Sequence, residues 1–357
     1  MNLHPAASHV LDPSARPPLR VSLIAMSPER KYHSSDYLAL SVGALLNERR
    51  DDATESPATP EKGHDPRAVT TSVLLNTRNH GAFIEQCVES VLAQTLPATE
   101  IIVYDDGSED DTVLRLRRYS SRIRLIEGQP QSLPSYQRQA HAVQTAFEQS
   151  AGQLIFLLDG DDRFRPDKIE QYCAAYEAQR DAALIQAPME KIDEEGRSLG
   201  SNFEARKHVD HHLAEIYRQQ DVDFYYPTSA LAFARTYLDA VLPLDFSDGC
   251  PLWTDTRLGI MAPFYGRVVT LPHALTDWRR HAKSDSIRSR VRNLQIQQTL
   301  MRTEVFNSFC RRYGLKTISA WRNARFYKQL LRFSLPELVY DCFHHLRSRS
   351  SRRVHAG

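Results

Sequence analysis

Leu154-Ile-Phe-Leu-Leu-Asp-Gly-Asp-Asp162 is the stretch whose reading decides the fold: five consecutive apolar residues end abruptly in three carboxylates. A short, continuous apolar run of this kind is the pattern of a strand buried on both faces, as in a parallel sheet. Asp159, Asp161 and Asp162 at its end repel one another at close range unless a cation lies among them. A divalent metal is one reason to gather them there. A solvated Asp-Gly turn that breaks the strand is the other.

Working outward, the chain from Thr71 alternates strands with amphipathic helices. Ser72-Val-Leu-Leu75 reads as a strand, and Ile84, Cys87, Val88, Val91 and Leu92 recur at the spacing of one helical face. Glu100-Ile-Ile-Val-Tyr104 is a second strand running into Asp105-Asp-Gly-Ser108, with Ser108 placed to cap a helix carrying Val113, Leu114 and Leu116. Ile123 to Ile126 gives a third strand, and Ala140, Val143, Ala146 and Phe147 a helical face before the Leu154 strand. Strand and helix in repeated alternation predict an α/β fold, a Rossmann-like, mostly parallel sheet flanked by helices. In such sheets the ligand lies beyond the carboxyl ends of the strands. Asn76-Thr-Arg-Asn79, Asp105-Asp-Gly-Ser108 and Asp159-Gly-Asp-Asp162 all fall there and are expected to converge. No strand end carries GxGxxG, which argues against a plain dinucleotide-binding dehydrogenase.

Composition sets the outer limits. With 357 residues, of which 41% are hydrophobic, the chain can bury a full core in one large domain with appendages. Forty-five basic against 44 acidic residues leave a formal charge of +1, so no nucleic-acid partner is expected. The five cysteines, at 87, 173, 250, 310 and 342, have no CxxC or zinc spacing. Cys87 and Cys173 on apolar helical faces read as reduced thiols, which favours a cytoplasmic location. Neither a signal-peptide pattern nor an apolar stretch of about 18 residues is found in this sequence.

Several of these motifs together carry a resemblance. The first strand with Asn79, Gln94-Thr-Leu-Pro97, Glu100 to Ser108, Asp110, Thr112, Phe156 to Asp162 and Pro166-Asp-Lys168 resemble, in order and separation, the nucleotide-binding half of family 2 glycosyltransferases of the GT-A fold. Pro227 to Phe233 resembles that family's acceptor-side segment, Trp253-Thr-Asp255 stands in the place of its Glu-Asp motif, and Trp278-Arg-Arg-His281 is similar to its closing Tyr-Arg-x-His. The likeness runs from Thr71 to Ile287. It implies three regions: an N-terminal appendage and linker over 1–66, a GT-A domain over 67–290 divided at 165 into nucleotide and acceptor halves, and a C-terminal helical region over 291–357.

The resemblance also implies roles. Asp106 accepts a hydrogen bond from the ring N–H of a pyrimidine, most often uracil. Thr77, beside Asn76, contacts base and ribose, and Arg78, Asn79 and Arg138 line the same nucleotide pocket. Asp159 holds ribose or sugar hydroxyls. Asp161 ligates Mn²⁺ or Mg²⁺ on the diphosphate, with Asp162 in support and His281 either completing the metal shell or donating to the diphosphate; oxygen ligands suit these hard cations. Arg279 or Arg280 adds charge nearby. Asp255 is the catalytic base of an inverting transfer, set against a helix-terminal Asp paired with Arg257, and Asp248 is its weaker competitor or an acceptor contact. The implied partners are a nucleotide sugar, most simply a UDP-sugar, and a glycan or lipid-linked acceptor in cell-surface polysaccharide synthesis.

The chain departs from the family pattern in places. Asn76-Thr77-Arg78 replaces Pro-Thr-Tyr, which removes an aromatic base-stacking group and offers an arginine instead. Thr254-Asp255 drops the acidic neighbour, and Gln144 stands where the family has Asn. Gln-x-x-Arg-Trp, the mark of processive synthases, is missing, so one sugar per encounter is expected. A protein that binds the nucleotide sugar, or a partner transferase, without catalysis is the alternative reading. A sugar nucleotidyltransferase would need a glycine-rich phosphate loop near the first strand, and none is present there. Asn293 to Arg347 reads as helical, with Leu294, Ile296, Leu300 and Val305 supplying apolar positions, and the tail gathers Arg347, Arg349, Arg352 and Arg353. That tail is either solvated or a peripheral contact with the inner face of a membrane.

Overall fold

A computed structural model describes residues 69–200, 212–282, 292–324 and 326–327. The expected appendage over 1–66 and the basic tail lie outside these residues. Among the described residues no helix is long and apolar enough to cross a membrane.

The alternating pattern folds as strands and helices in turn: β1 (Thr71–Thr77), α1 (Ile84–Leu92), β2 (Glu100–Asp105), α2 (Thr112–Leu116), β3 (Arg124–Glu127), α3 (Ser135–Glu148) and β4 (Leu154–Asp159). A two-residue strand β5 (Arg163–Phe164) precedes α4 (Lys168–Ala178), then β6 (Ala182–Gln186), β7 (Met189–Ile192), β8 (Ser198–Gly200) and α5 (His212–Gln219). Next come β9 (Leu231–Ala234), α6 (Arg235–Val241), α7 (Thr254–Met261), β10 (Arg267–Thr270), β11 (Thr276–Arg279) and α8 (Arg292–Arg312).

Seven strands form one sheet in the order β10-β6-β9-β4-β1-β2-β3. Within it β9 runs antiparallel to both β4 and β6, while the other pairings are parallel. The chain steps outward from β1 through β2 to β3, then returns to place β4 on β1's other side. Strand order therefore reverses between β1 and β4, the crevice where open α/β sheets bind ligands. Leu154 to Leu158 are all at most 1% exposed, so β4 is buried on both faces, as its unbroken apolar run predicts. A second sheet, β5-β11-β7-β8, carries the Trp278 to His281 segment toward the end of β4.

Local expectations fail where a side chain has another use. Ser108 does not cap α2, whose N-cap is Asp111; it bonds instead to the Asp105 carboxylate, through its backbone N–H at 2.8 Å and through its hydroxyl. Leu114 is 63% exposed because the five-residue α2 buries only Thr112 and Leu116. On α8 the inward residues are Val305, Phe306 and Cys310, which join a second apolar cluster with Tyr225, Leu252 and Phe264, while Leu300 faces outward.

Candidate active site

Register brings the three polar strand ends together. Asn76 lies opposite Asp159 in the β1–β4 pair, and Thr77 opposite Asp105 in the β1–β2 pair. Beyond the strands the loops are tied by Gly160 N–H to the Asn76 carbonyl and Asp106 N–H to the Thr77 carbonyl, each at 2.9 Å. Gly160 is required where it stands: a Cβ there would lie 2.5 Å from Thr77 Oγ1 and 2.9 Å from His80 Nδ1.

The pocket around Asp106 is built with one acceptor left over. Asp106 is 6% exposed, and its Oδ2 receives Arg138 Nε at 2.8 Å and Arg78 Nη1 at 3.5 Å. Its Oδ1 is buried with no hydrogen-bond partner, as is Asn76 Oδ1. A buried polar group without a partner costs roughly 1–3 kcal/mol, so these atoms suit a ligand that brings donors.

Two residues assigned to the nucleotide also tie the loops together. Thr77 is 1% exposed and its hydroxyl pairs with His80 Nδ1 at 3.2 Å. Asn79, at φ +56°, spends its backbone N–H on Ser108 Oγ and its Oδ1 on the Glu109 N–H, both at 2.8 Å. Asn tolerates that left-handed conformation better than most residues, and the clamp locks the Asn76–Asn79 turn to the Asp105–Ser108 turn.

At the end of β4 the three aspartates have separate surroundings. Asp159 is half-buried and its backbone N–H donates to Ser229 Oγ at 3.0 Å. Asp161 Oδ2 meets His281 Nε2 at 2.9 Å. Burial works to raise the Asp161 carboxyl, but the bond to His281 and the charges of His80 and His281 hold it below the usual carboxylate range. Asp162 is 3% exposed and accepts the Arg279 N–H at 2.9 Å. Burial first, then the Asp161 and Asp159 charges, push its carboxyl well above the usual range. Through its bond to Arg279, Asp162 anchors the turn to β11.

Arg279 places its charge beside this turn. It is fully buried, and its guanidinium donates to the carbonyls of Asp161, Asp193 and Glu194 and to Gln86 Oε1, which fixes the backbone under Asp161. Two groups that sequence reasoning passed over belong to this corner. The His80 ring lies 6.4 Å from that of His281, and Phe83 packs on His281 at 4.9 Å. The one signal was the position of His80, just past the first strand end.

Among the described residues no group of three or more His, Cys, Asp or Glu is disposed to hold a metal ion. The donor set still suits one bound jointly with a diphosphate. Asp161 supplies an ionised oxygen and His281 a ring nitrogen, which leaves the other positions of an octahedral ion to phosphate oxygens and water.

The acceptor side converges on Asp255, half-buried in the first turn of α7. Its Oδ2 accepts from Thr228 N and Oγ1 at 3.1 and 3.2 Å, and Oδ1 from Thr256 N. Burial raises its carboxyl above the usual range despite those bonds and the charge of Arg302. It does not pair with Arg257, which instead grips Asp248 at 2.6 and 2.9 Å. Gln139 of α3 links the two sides, receiving Thr254 N–H at 3.1 Å and reaching Thr228 Oγ1 at 3.4 Å. Beneath them buried Lys168 donates to the Ser229 carbonyl and to Thr276 Oγ1.

Acidic strand ends at a reversal of strand order in a mostly parallel sheet are the arrangement that the resemblance to GT-A glycosyltransferases leads one to expect. Residues 72–241 match the family described as glycosyl transferase family 2. The chain is 26% identical over 219 residues to an uncharacterized glycosyltransferase of Nostoc sp., covering 60% of this chain and 66% of that one. It is 29% identical over 140 residues to chondroitin synthase of Escherichia coli, covering 38% of this chain and 20% of the relative. Less than two thirds of either relative's own length is therefore spanned. A solved mannosyltransferase from Pyrobaculum calidifontis, in complex with GDP-Man and Mn²⁺, is 16% identical with a TM-score of 0.49, over 82% of this chain and 77% of that one.

Proposed function

We propose that this protein transfers one sugar from a nucleotide sugar, with uridine diphosphate as the leaving group, to a hydroxyl of a glycan or lipid-linked acceptor, with inversion. The observation that carries the reading is the buried, partnerless Oδ1 of Asp106 beside that of Asn76. A carboxylate with one oxygen held by two arginines and the other without a hydrogen-bond partner is complementary to a single ring N–H, which uracil offers. The chondroitin synthase relative supports a glycan as acceptor.

Asp159, at the switch point, holds ribose or sugar hydroxyls. Asp161 and His281 are the residues that would hold Mn²⁺ or Mg²⁺, and a bound cation supplies charge neutralisation to the departing diphosphate. Asp255 takes the proton from the acceptor hydroxyl as that oxygen attacks the anomeric carbon. The bond from that carbon to the phosphate oxygen breaks, and its electron pair leaves with the nucleotide. Arg279 and Asp162 hold the Asp161 turn still, so the ligands are set before substrate arrives.

The test is nucleotide release from a panel of UDP-, GDP-, TDP- and CMP-sugars with Mn²⁺, with and without glycan acceptors. Acceptor-stimulated release of UDP is the expected result. Binding of UDP-sugars without any release would make the protein a non-catalytic binder, and preference for a purine nucleotide would overturn the Asp106 assignment.

A further inference from the structure

One segment that the reaction above does not use is the irregular Leu242–Trp253 stretch joining α6 to α7. It contains no strand or helix, yet one side chain organises it. Arg257, with 5% of its side chain exposed, donates to both oxygens of Asp248 at 2.6 and 2.9 Å. The same guanidinium reaches the Cys250 carbonyl at 2.6 Å and the Asp245 carbonyl at 3.2 Å. It also lies over the Phe246 ring, 4.5 Å from its centroid. A buried guanidinium with this many partners is costly to assemble and fixes one geometry once formed.

What that geometry presents is an aromatic pair. Phe246, backed by Arg257, meets Tyr136 at 5.3 Å between centroids with the planes tilted by 57°. Both rings are partly exposed. Tyr136 lies in the first turn of α3, two residues before Arg138, which holds Asp106, and three before Gln139, which holds the Asp255 partner Thr228. Arg257 follows Asp255 by two residues on α7. Gln139 ties α3 to the Thr228 and Thr254 segments beside Asp255, and the Tyr136–Phe246–Arg257 contacts bridge α3, which carries Arg138, and α7, which carries Asp255.

We infer that Tyr136 and Phe246 form the acceptor subsite, a stacking face for the apolar C–H side of a sugar ring, and that Arg257 is the positioning residue that holds it. A rigid aromatic face gives contact area at small entropic cost and leaves the ring's hydroxyls free to reach Asp255. This rests on the donor and base assignments proposed above, and the experiment separates the two. Thermal stabilisation by UDP with Mn²⁺ reads the donor site alone. Transfer from UDP-glucose, UDP-galactose, UDP-N-acetylglucosamine and UDP-glucuronic acid to p-nitrophenyl glycosides of the same sugars reads the acceptor side.

Phe246→Ala should raise the acceptor KM about tenfold with the donor KM shifted less than about twofold. Phe246→Tyr should restore the acceptor KM, and Asp248→Asn, which loosens the clamp from its exposed side without touching the buried guanidinium, should give an intermediate rise. An unchanged acceptor KM in Phe246→Ala, or an equal rise in both KM values, overturns the subsite while the donor assignment stands. Wild-type protein that neither gains stability from UDP nor transfers any of these sugars overturns the donor assignment, and this inference with it.

Discussion

The donor side hangs from β1, β2 and β4, parallel strands whose carboxyl ends share one edge, whereas the acceptor side, from Pro227 to Met261, hangs from turns, one short strand and short helices. On the donor side backbone register does the positioning: Asn76 faces Asp159 because β1 and β4 pair that way. On the acceptor side side chains do it, with Gln139, Lys168 and Arg279 each bonding two or more segments of chain and Arg257 gathering the Asp245–Cys250 turn. A substitution in the first region should act locally, and one in the second should act at a distance.

The largest effect that sharpens the contrast is expected at Asp255. Asp255→Asn should lower kcat by about 10²–10⁴-fold, the usual range for loss of a general base, measured as UDP release with acceptor present. A loss below tenfold would move the base elsewhere. Next is Asp106→Ala, which removes the open acceptor of the base pocket. It should weaken UDP binding about 10- to 100-fold, in line with roughly 1.5–3 kcal/mol for a hydrogen bond to a charged group, as read by calorimetry. Unchanged affinity would break the claim that the donor side reads the base.

The pH profile follows in size. Asp255 must be ionised to accept a proton, and burial raises its carboxyl above the ordinary range. Transfer should therefore fall about tenfold per unit as pH drops below that raised value, and the fall should begin at a higher pH than for an exposed carboxylate. A rate that stays level down to the ordinary carboxylate range would contradict it. The smallest effect is at Arg78, whose contact with Asp106 is long, at 3.5 Å, with 30% of its side chain exposed. Arg78→Ala should change UDP affinity less than about fivefold, so a larger loss would give Arg78 a direct contact with the nucleotide.

The same contrast explains what could be read from the sequence. Five apolar residues ending in carboxylates can fold in few ways, so β4, its burial and the place of Asp159 and Asp161 were legible, as were β1, β2 and the meeting of their ends. Arg279 was not, because an arginine is ordinarily exposed and only the three-dimensional surround of carbonyls makes burying one possible. The loop contacts of Thr77 and Asn79 were hidden for a related reason: a polar residue at a strand end looks the same in sequence whether it faces a ligand or its neighbouring loop. The Asp248–Arg257 pairing and the aromatic pair it supports come from an irregular segment without periodicity, where sequence offers no face to count.

The most direct test compares the two aspartates that the account separates. Thermal stabilisation by UDP should be measured with and without Mn²⁺ for wild type, Asp161→Asn and Asp255→Asn, since a ligand that binds the folded state raises its melting temperature. The account predicts that Asp161→Asn loses the Mn²⁺-dependent part of the stabilisation while Asp255→Asn keeps it and loses only transfer. Equal loss in both variants, or Mn²⁺-dependent stabilisation intact in Asp161→Asn, would contradict it.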